Sequence, residues 1–145
     1  MLRTSEPSKK GVGGVHNTIL IVDDDESMRT FLSTVLQEAG YGVVVADSVK
    51  AGLQVLEETW VDLLVADVRL DAANGLQLIA MSRPPTIAIT GFADPVIEAQ
   101  ARQFGAMVLL KPFTSESLLA LVEKRLRPSV THVLLGEKRG GRQTL

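Results

Sequence analysis

The sequence predicts an α/β fold of the (βα)5 type: a five-stranded parallel sheet with helices on both faces. Three observations predict it. Short apolar runs rich in β-branched residues alternate with segments of helical period, five times over. The runs are continuously apolar, as strands buried on both faces must be. Cap residues and Gly or Pro stops punctuate the segments between them.

The first strand is TILIV at 18–22. Its helix runs from Ser27 to Glu38, with Met28, Phe31, Leu32, Val35 and Leu36 on one face and Gly40 as the stop. Asp25 is read as a helix cap. GVVVA at 42–46 is the second strand, and Asp47 or Ser48 caps a helix presenting Val49, Leu53 and Leu56. DLLVA at 62–66 is the third, followed by an abbreviated helix from Gly75, closed by Pro84-Pro85. TIAI at 86–89 is the fourth, and Asp94-Pro95 opens a helix that ends near Phe104 and Gly105. MVLL at 107–110 is the fifth, and Thr114 or Ser115 caps a last helix striped with Leu118, Leu121, Val122 and Leu126.

Composition bounds the function. The 145 residues suit one domain with tails: a leader at 1–16, a folded unit at 17–127 and a tail at 128–145. Hydrophobic residues make up 46% of the chain, enough for a real core. There is no cysteine, which excludes disulfides, thiolate metal sites and thiol nucleophiles. No apolar run approaches the roughly 20 residues that span a bilayer, and the leader lacks a signal-peptide core. A cytoplasmic protein without membrane contact is expected. The net charge is −2, yet leader and tail are each +2, which leaves −6 on the folded unit. An acidic core with mildly basic tails argues against direct nucleic-acid binding.

In parallel sheets, ligands bind beyond the carboxyl ends of the strands. Asp23, Asp24 and Asp25 follow the first strand, Asp67 the third, Thr90 the fourth and Lys111 the fifth. Each alone is ordinary: an Asp after a strand is usually a cap or turn residue, and a Lys is usually a solvated charge. Together they put carboxylates, a hydroxyl and an ammonium on one rim. Pro112 disfavours helical geometry at Lys111 and favours a tight, cis-compatible turn.

The stretches ILIVDDDESMR, LLVADVRLDAANGLQL, IAITGFAD and LLKPF resemble the receiver domain of two-component response regulators, over about residues 17–127. The resemblance implies a doubly wound, flavodoxin-like sheet of order 2-1-3-4-5. It implies that Asp67 is the phosphoacceptor, assisted by Thr90 and Lys111. It implies a Mg2+ ion held by Asp23, Asp24, Asp67 and the backbone carbonyl of Arg69. Such an ion would relieve the repulsion of clustered carboxylates. The implied partner is a sensor histidine kinase or histidine phosphotransferase. The chain then acts as a signalling receiver with its own phosphorylation and dephosphorylation chemistry, and not as an enzyme on other substrates.

The sequence departs from the family in places. Asp71 stands where receivers commonly have Pro, and Val108 where they often have Tyr or Phe. Arg69 and Phe92, two residues beyond Asp67 and Thr90, stand at positions that differ between receivers and are expected to influence water access. The 18 residues after Arg127 are too few for a helix-turn-helix domain, so output is expected through protein contacts. The face of the fourth helix, fifth strand and fifth helix would take a kinase, a phosphotransferase or a second copy in a homodimer. Two other readings exist. Asp23 to Ser27 parses as the D-x-D-x-S of haloacid-dehalogenase-type phosphatases, but no Asp follows Asp94 to complete their metal site. A receiver-like fold that never accepts phosphate is opposed by the full set of acids, Thr and Lys.

Overall fold

The computed structural model describes residues 3–4, 17–69, 75–91 and 95–126. Asp71, Phe92, Asp94 and the tail beyond 126 lie outside the described residues, as does most of the leader. In chain order the elements are β1 (Arg3–Thr4), β2 (Thr18–Val22), α1 (Glu26–Glu38), β3 (Gly42–Ala46), α2 (Val49–Glu58) and β4 (Leu63–Asp67). Then follow α3 (Gly75–Met81), β5 (Thr86–Thr90), α4 (Pro95–Gln103), β6 (Met107–Leu110) and α5 (Ser115–Leu126).

The sheet order is β1-β3-β2-β4-β5-β6. Its five long strands are all parallel and take the expected 2-1-3-4-5 order. β1 adds what the sequence did not suggest: two leader residues pair antiparallel with Val44 and Val45 at the sheet edge. A two-residue strand has no periodicity to read.

Period-2 alternation divides each apolar run between the two faces. Ile19, Ile21, Leu63, Val65, Ile87 and Ile89 pack on one side with Leu32 and Leu36 of α1 and Leu118 and Val122 of α5. Leu20, Val22, Leu64, Ala66 and Ala88 pack on the other with Val55 of α2, Leu78 of α3 and Ala101 of α4. Each such Leu or Ile, sealed from water, stabilises the fold by about 1.5–3 kcal/mol. Both faces must be covered for the sheet to stand, which is why the strands carry no polar alternation.

Helix ends follow local chemistry. The Asp25 carboxylate accepts the amides of Ser27 and Met28, as a cap should. At the far end of α1, Gly40 takes a φ of 101°. The Tyr41 amide then reaches the Leu36 carbonyl and the Gly40 amide that of Gln37, closing the last turn. Ser48, not Asp47, caps α2, through its hydroxyl to the Ala51 amide. Thr114, not Ser115, caps α5: its hydroxyl accepts the Ser117 amide. The third long strand begins at Leu63 rather than Asp62 and ends at Asp67. Asp62 instead accepts the Thr18 amide and the Trp60 indole N–H. Among the described residues no helix is long and apolar enough to cross a membrane.

Candidate functional site

β2 and β4 lie side by side, pairing Val22 with Ala66. Asp23 and Asp67 therefore leave neighbouring strands at the same edge. β4 also pairs with β5 and β5 with β6, which brings Thr90 and Leu110 level with the same rim. Asp67 closes its strand, so its backbone is fixed by the sheet ladder while its carboxylate faces the cleft. The start of α3 presses on this point. A side chain at Gly75 would collide with the Asp67 carbonyl oxygen and the Val68 backbone, so only glycine lets α3 begin there.

Among the described residues the Asp67 carboxylate has two partners. Oδ1 accepts the Arg69 amide at 2.8 Å. Oδ2 faces the Lys111 ammonium at 3.2 Å. Asp67 is 7% exposed, so it is shielded yet reachable from the cleft. Lys111 is held from both sides. Its amide donates to the Thr90 carbonyl at 2.9 Å. Two residues on, the Phe113 ring packs against Phe31 of α1, with centroids 6.1 Å apart. The Lys111–Pro112 peptide is cis. Thr90 is buried, at 2% exposure, directly before that loop in space.

Asp23 is the anomaly. It is 1% exposed. Oδ1 accepts the Asp25 amide at 2.9 Å, but Oδ2 is buried with no hydrogen-bond partner among the described residues. Burial raises its carboxyl to a pKa of about 6, and the nearby Asp67 and Asp24 charges push the same way. The Asp25 amide and the Lys111 ammonium pull against them. An orphaned carboxylate oxygen beside a second carboxylate fits a hard divalent cation, whose coordination would supply the missing partner. Among the described residues, no three carboxylate, imidazole or thiol groups stand close enough to enclose an ion unaided. Backbone oxygen and water must complete any such shell, as suits Mg2+.

The predicted residues thus divide into groups. Asp67 and Lys111 are in direct contact, and Asp23 and Asp24 act on the same cleft electrostatically. Asp24 is exposed at the mouth. Arg69 is exposed, and its described contact is through its amide. One residue was missed: Arg29, whose guanidinium donates to the Asp23 carbonyl at 2.8 Å and pins that loop to α1. Its place four residues past the cap Asp25, on the turn that faces the loop, was the available signal. Val108 sits half-buried against the α2–α3–α4 side of the core.

A three-layered α/β fold, with helices on both faces of the sheet, carries a lysine-clamped aspartate beside a buried acidic neighbour, the arrangement of receiver domains in two-component signalling. The chain belongs to the response regulator receiver domain family, whose model matches residues 19–123. It is 34% identical over 115 residues to the transcriptional regulatory protein FixJ of Bradyrhizobium diazoefficiens, covering 75% of this chain and 56% of that protein. It is 35% identical over 113 residues to the response regulator protein FleR of Pseudomonas aeruginosa, covering 73% and 24%. The chain therefore spans little more than half of one relative and a quarter of the other. Among solved structures it resembles a CheY-like receiver domain protein from Methanospirillum hungatei, with a TM-score of 0.76, 25% identity, and 81% and 99% of the two chains covered. It also resembles the signal receiver domain of an HD domain-containing protein from Pseudomonas fluorescens, with a TM-score of 0.74, 26% identity and coverage of 81% and 99%. Mg2+ binding for phosphorylation is general in this family.

Proposed function

We propose that the chain accepts a phosphoryl group on Asp67 from the phosphohistidine of a sensor histidine kinase or histidine phosphotransferase. The observation that carries this reading is the Asp67 carboxylate, set 3.2 Å from Lys111 and beside the orphaned oxygen of Asp23. A carboxylate oxygen of Asp67 attacks phosphorus, the P–N bond to the imidazole breaks, and its electron pair stays on the departing nitrogen. Lys111 exchanges its contact with Asp67 for one with a phosphoryl oxygen, as a compact point charge does well. Thr90 donates its hydroxyl to another phosphoryl oxygen. Asp23, Asp24, Asp67 and the Arg69 carbonyl are the groups that would hold Mg2+. When bound, the ion orients the phosphoryl group and offsets its growing charge.

Motion of Thr90 toward the phosphoryl group shifts the carboxyl end of β5. Output then runs through protein contacts on the α4–β6–α5 face, as a shift between two existing arrangements. The chain turns over no substrate but its own phosphoryl group. Incubation with Mg2+ and acetyl phosphate tests the reading by intact mass. The wild type gains one phosphoryl group and Asp67→Ala gains none; an equal gain in both would sink it.

A further inference from the structure

The opposite end of the sheet carries a second feature. A groove of about 610 Å³ opens between the carboxyl ends of α2 and α3. Its apolar lining includes Leu56, Trp60, Val61, Met81, Pro84 and Pro85. Trp60 is 80% exposed and Met81 56% exposed. Trp60 is the chain's one tryptophan, and it is held in place: its indole N–H donates to Asp62 at 2.9 Å. Asp62 in turn accepts the Thr18 amide with its other oxygen. A large apolar side chain braced in water beside an apolar groove is a built docking feature.

The chain itself supplies a fitting occupant. Arg125, in the last turn of α5, lines a second cavity together with Ser82, Arg83, Pro84 and Pro85. Those same four residues line the groove. The end of α5 thus stands at the groove's own border. Seven residues further on stands Val133-Leu134-Leu135, the apolar part of the tail. Seven residues reach about 23 Å when extended. Beyond it come Lys138, Arg139 and Arg142 against Glu137. The groove's charged lining is Glu57 and Asp62 against Arg83, and Glu57 is exposed. The apolar segment matches the apolar groove, the basic end suits the exposed Glu57 at its rim, and so short a tether gives effective concentrations in the mM range.

We infer that Val133-Leu134-Leu135 docks into the groove and covers Trp60 of the same molecule. Trp60 fluorescence tests this in the full chain. Expected is a blue-shifted emission for the wild type, with a red shift and roughly twofold stronger acrylamide quenching in Leu134→Asp/Leu135→Asp, as undocking a tethered segment requires. Met81→Lys, which changes the groove and leaves the tail intact, should move both readouts the same way. Emission and quenching unchanged in both variants would overturn the inference. So would a protection of Trp60 that disappears on dilution, since that would make a second copy the occupant.

Discussion

Asp62 stands just before β4 and Asp67 closes it, and they do opposite things. Asp62, at the amino end, has both oxygens in use: one takes the Thr18 amide at 2.8 Å, the other the Trp60 indole at 2.9 Å. Its charge ties β2 to β4 and braces a tryptophan. Asp67, at the carboxyl end, faces the Lys111 ammonium at 3.2 Å, and beside it one oxygen of Asp23 has no hydrogen-bond partner among the described residues. Fixed hydrogen bonds mark an acid that serves the scaffold. Exchangeable charges and unmet demand mark one that serves chemistry. A parallel sheet makes this asymmetry natural, because only its carboxyl edge gathers residues from several strands around one cleft.

Substitutions sharpen the contrast, and the largest effect falls on Asp67. Asp67→Asn should lower phosphorylation by acetyl phosphate by at least ~100-fold, since the nucleophile is gone, while Asp62→Asn should leave the rate within about twofold. Equal losses would erase the distinction. Asp23→Asn comes next. Removing one charge from a buried carboxylate pair should weaken Mg2+ binding by about 10-fold or more and raise stability without metal by roughly 1 kcal/mol. Titration calorimetry and urea unfolding measure the two effects. For the wild type, Mg2+ at ten times its dissociation constant should add about 1.4 kcal/mol to unfolding, and chelation should remove it.

Asp62→Ala should leave Mg2+ affinity alone and cost about 1–3 kcal/mol, because the Thr18 amide loses its acceptor. Thermal unfolding with and without Mg2+ separates it from the site variants. The smallest effect in this series is Asp25→Ala, at about 1 kcal/mol for the lost cap. Its unfolding should be shifted equally with and without Mg2+, although it sits next to two site residues in sequence.

What was legible in the chain follows physical lines. The five parallel strands could be read because burial on both faces leaves an unmistakable apolar run. Asp25 could be read as a cap because capping is decided within three residues. The rim of Asp23, Asp67, Thr90 and Lys111 could be read because each stands at the carboxyl end of a strand, and the sheet does the gathering. Trp60 and its groove could not, since two distant stretches, 53–62 and 81–85, build them and neither bears a local signature. Asp62 looked like the first residue of a strand, and its bond to Thr18 spans 44 positions. Arg29 was hidden for a similar reason: on a helix it reads as one more solvated cation until the loop it grips is seen. The orphaned oxygen of Asp23 is a matter of packing, which no pattern of residue types conveys.

Trp60 gives the molecule a built-in optical gauge. It stands at the amino end of β4 and Asp67 at the other, a strand's length of about 17 Å away at the usual rise. An ion arriving at the acidic rim is too far off to perturb the indole by contact. Any change in its emission on adding Mg2+ or a phosphodonor would therefore record movement carried through the sheet or its helices, and a flat signal would show that the two ends answer to different events.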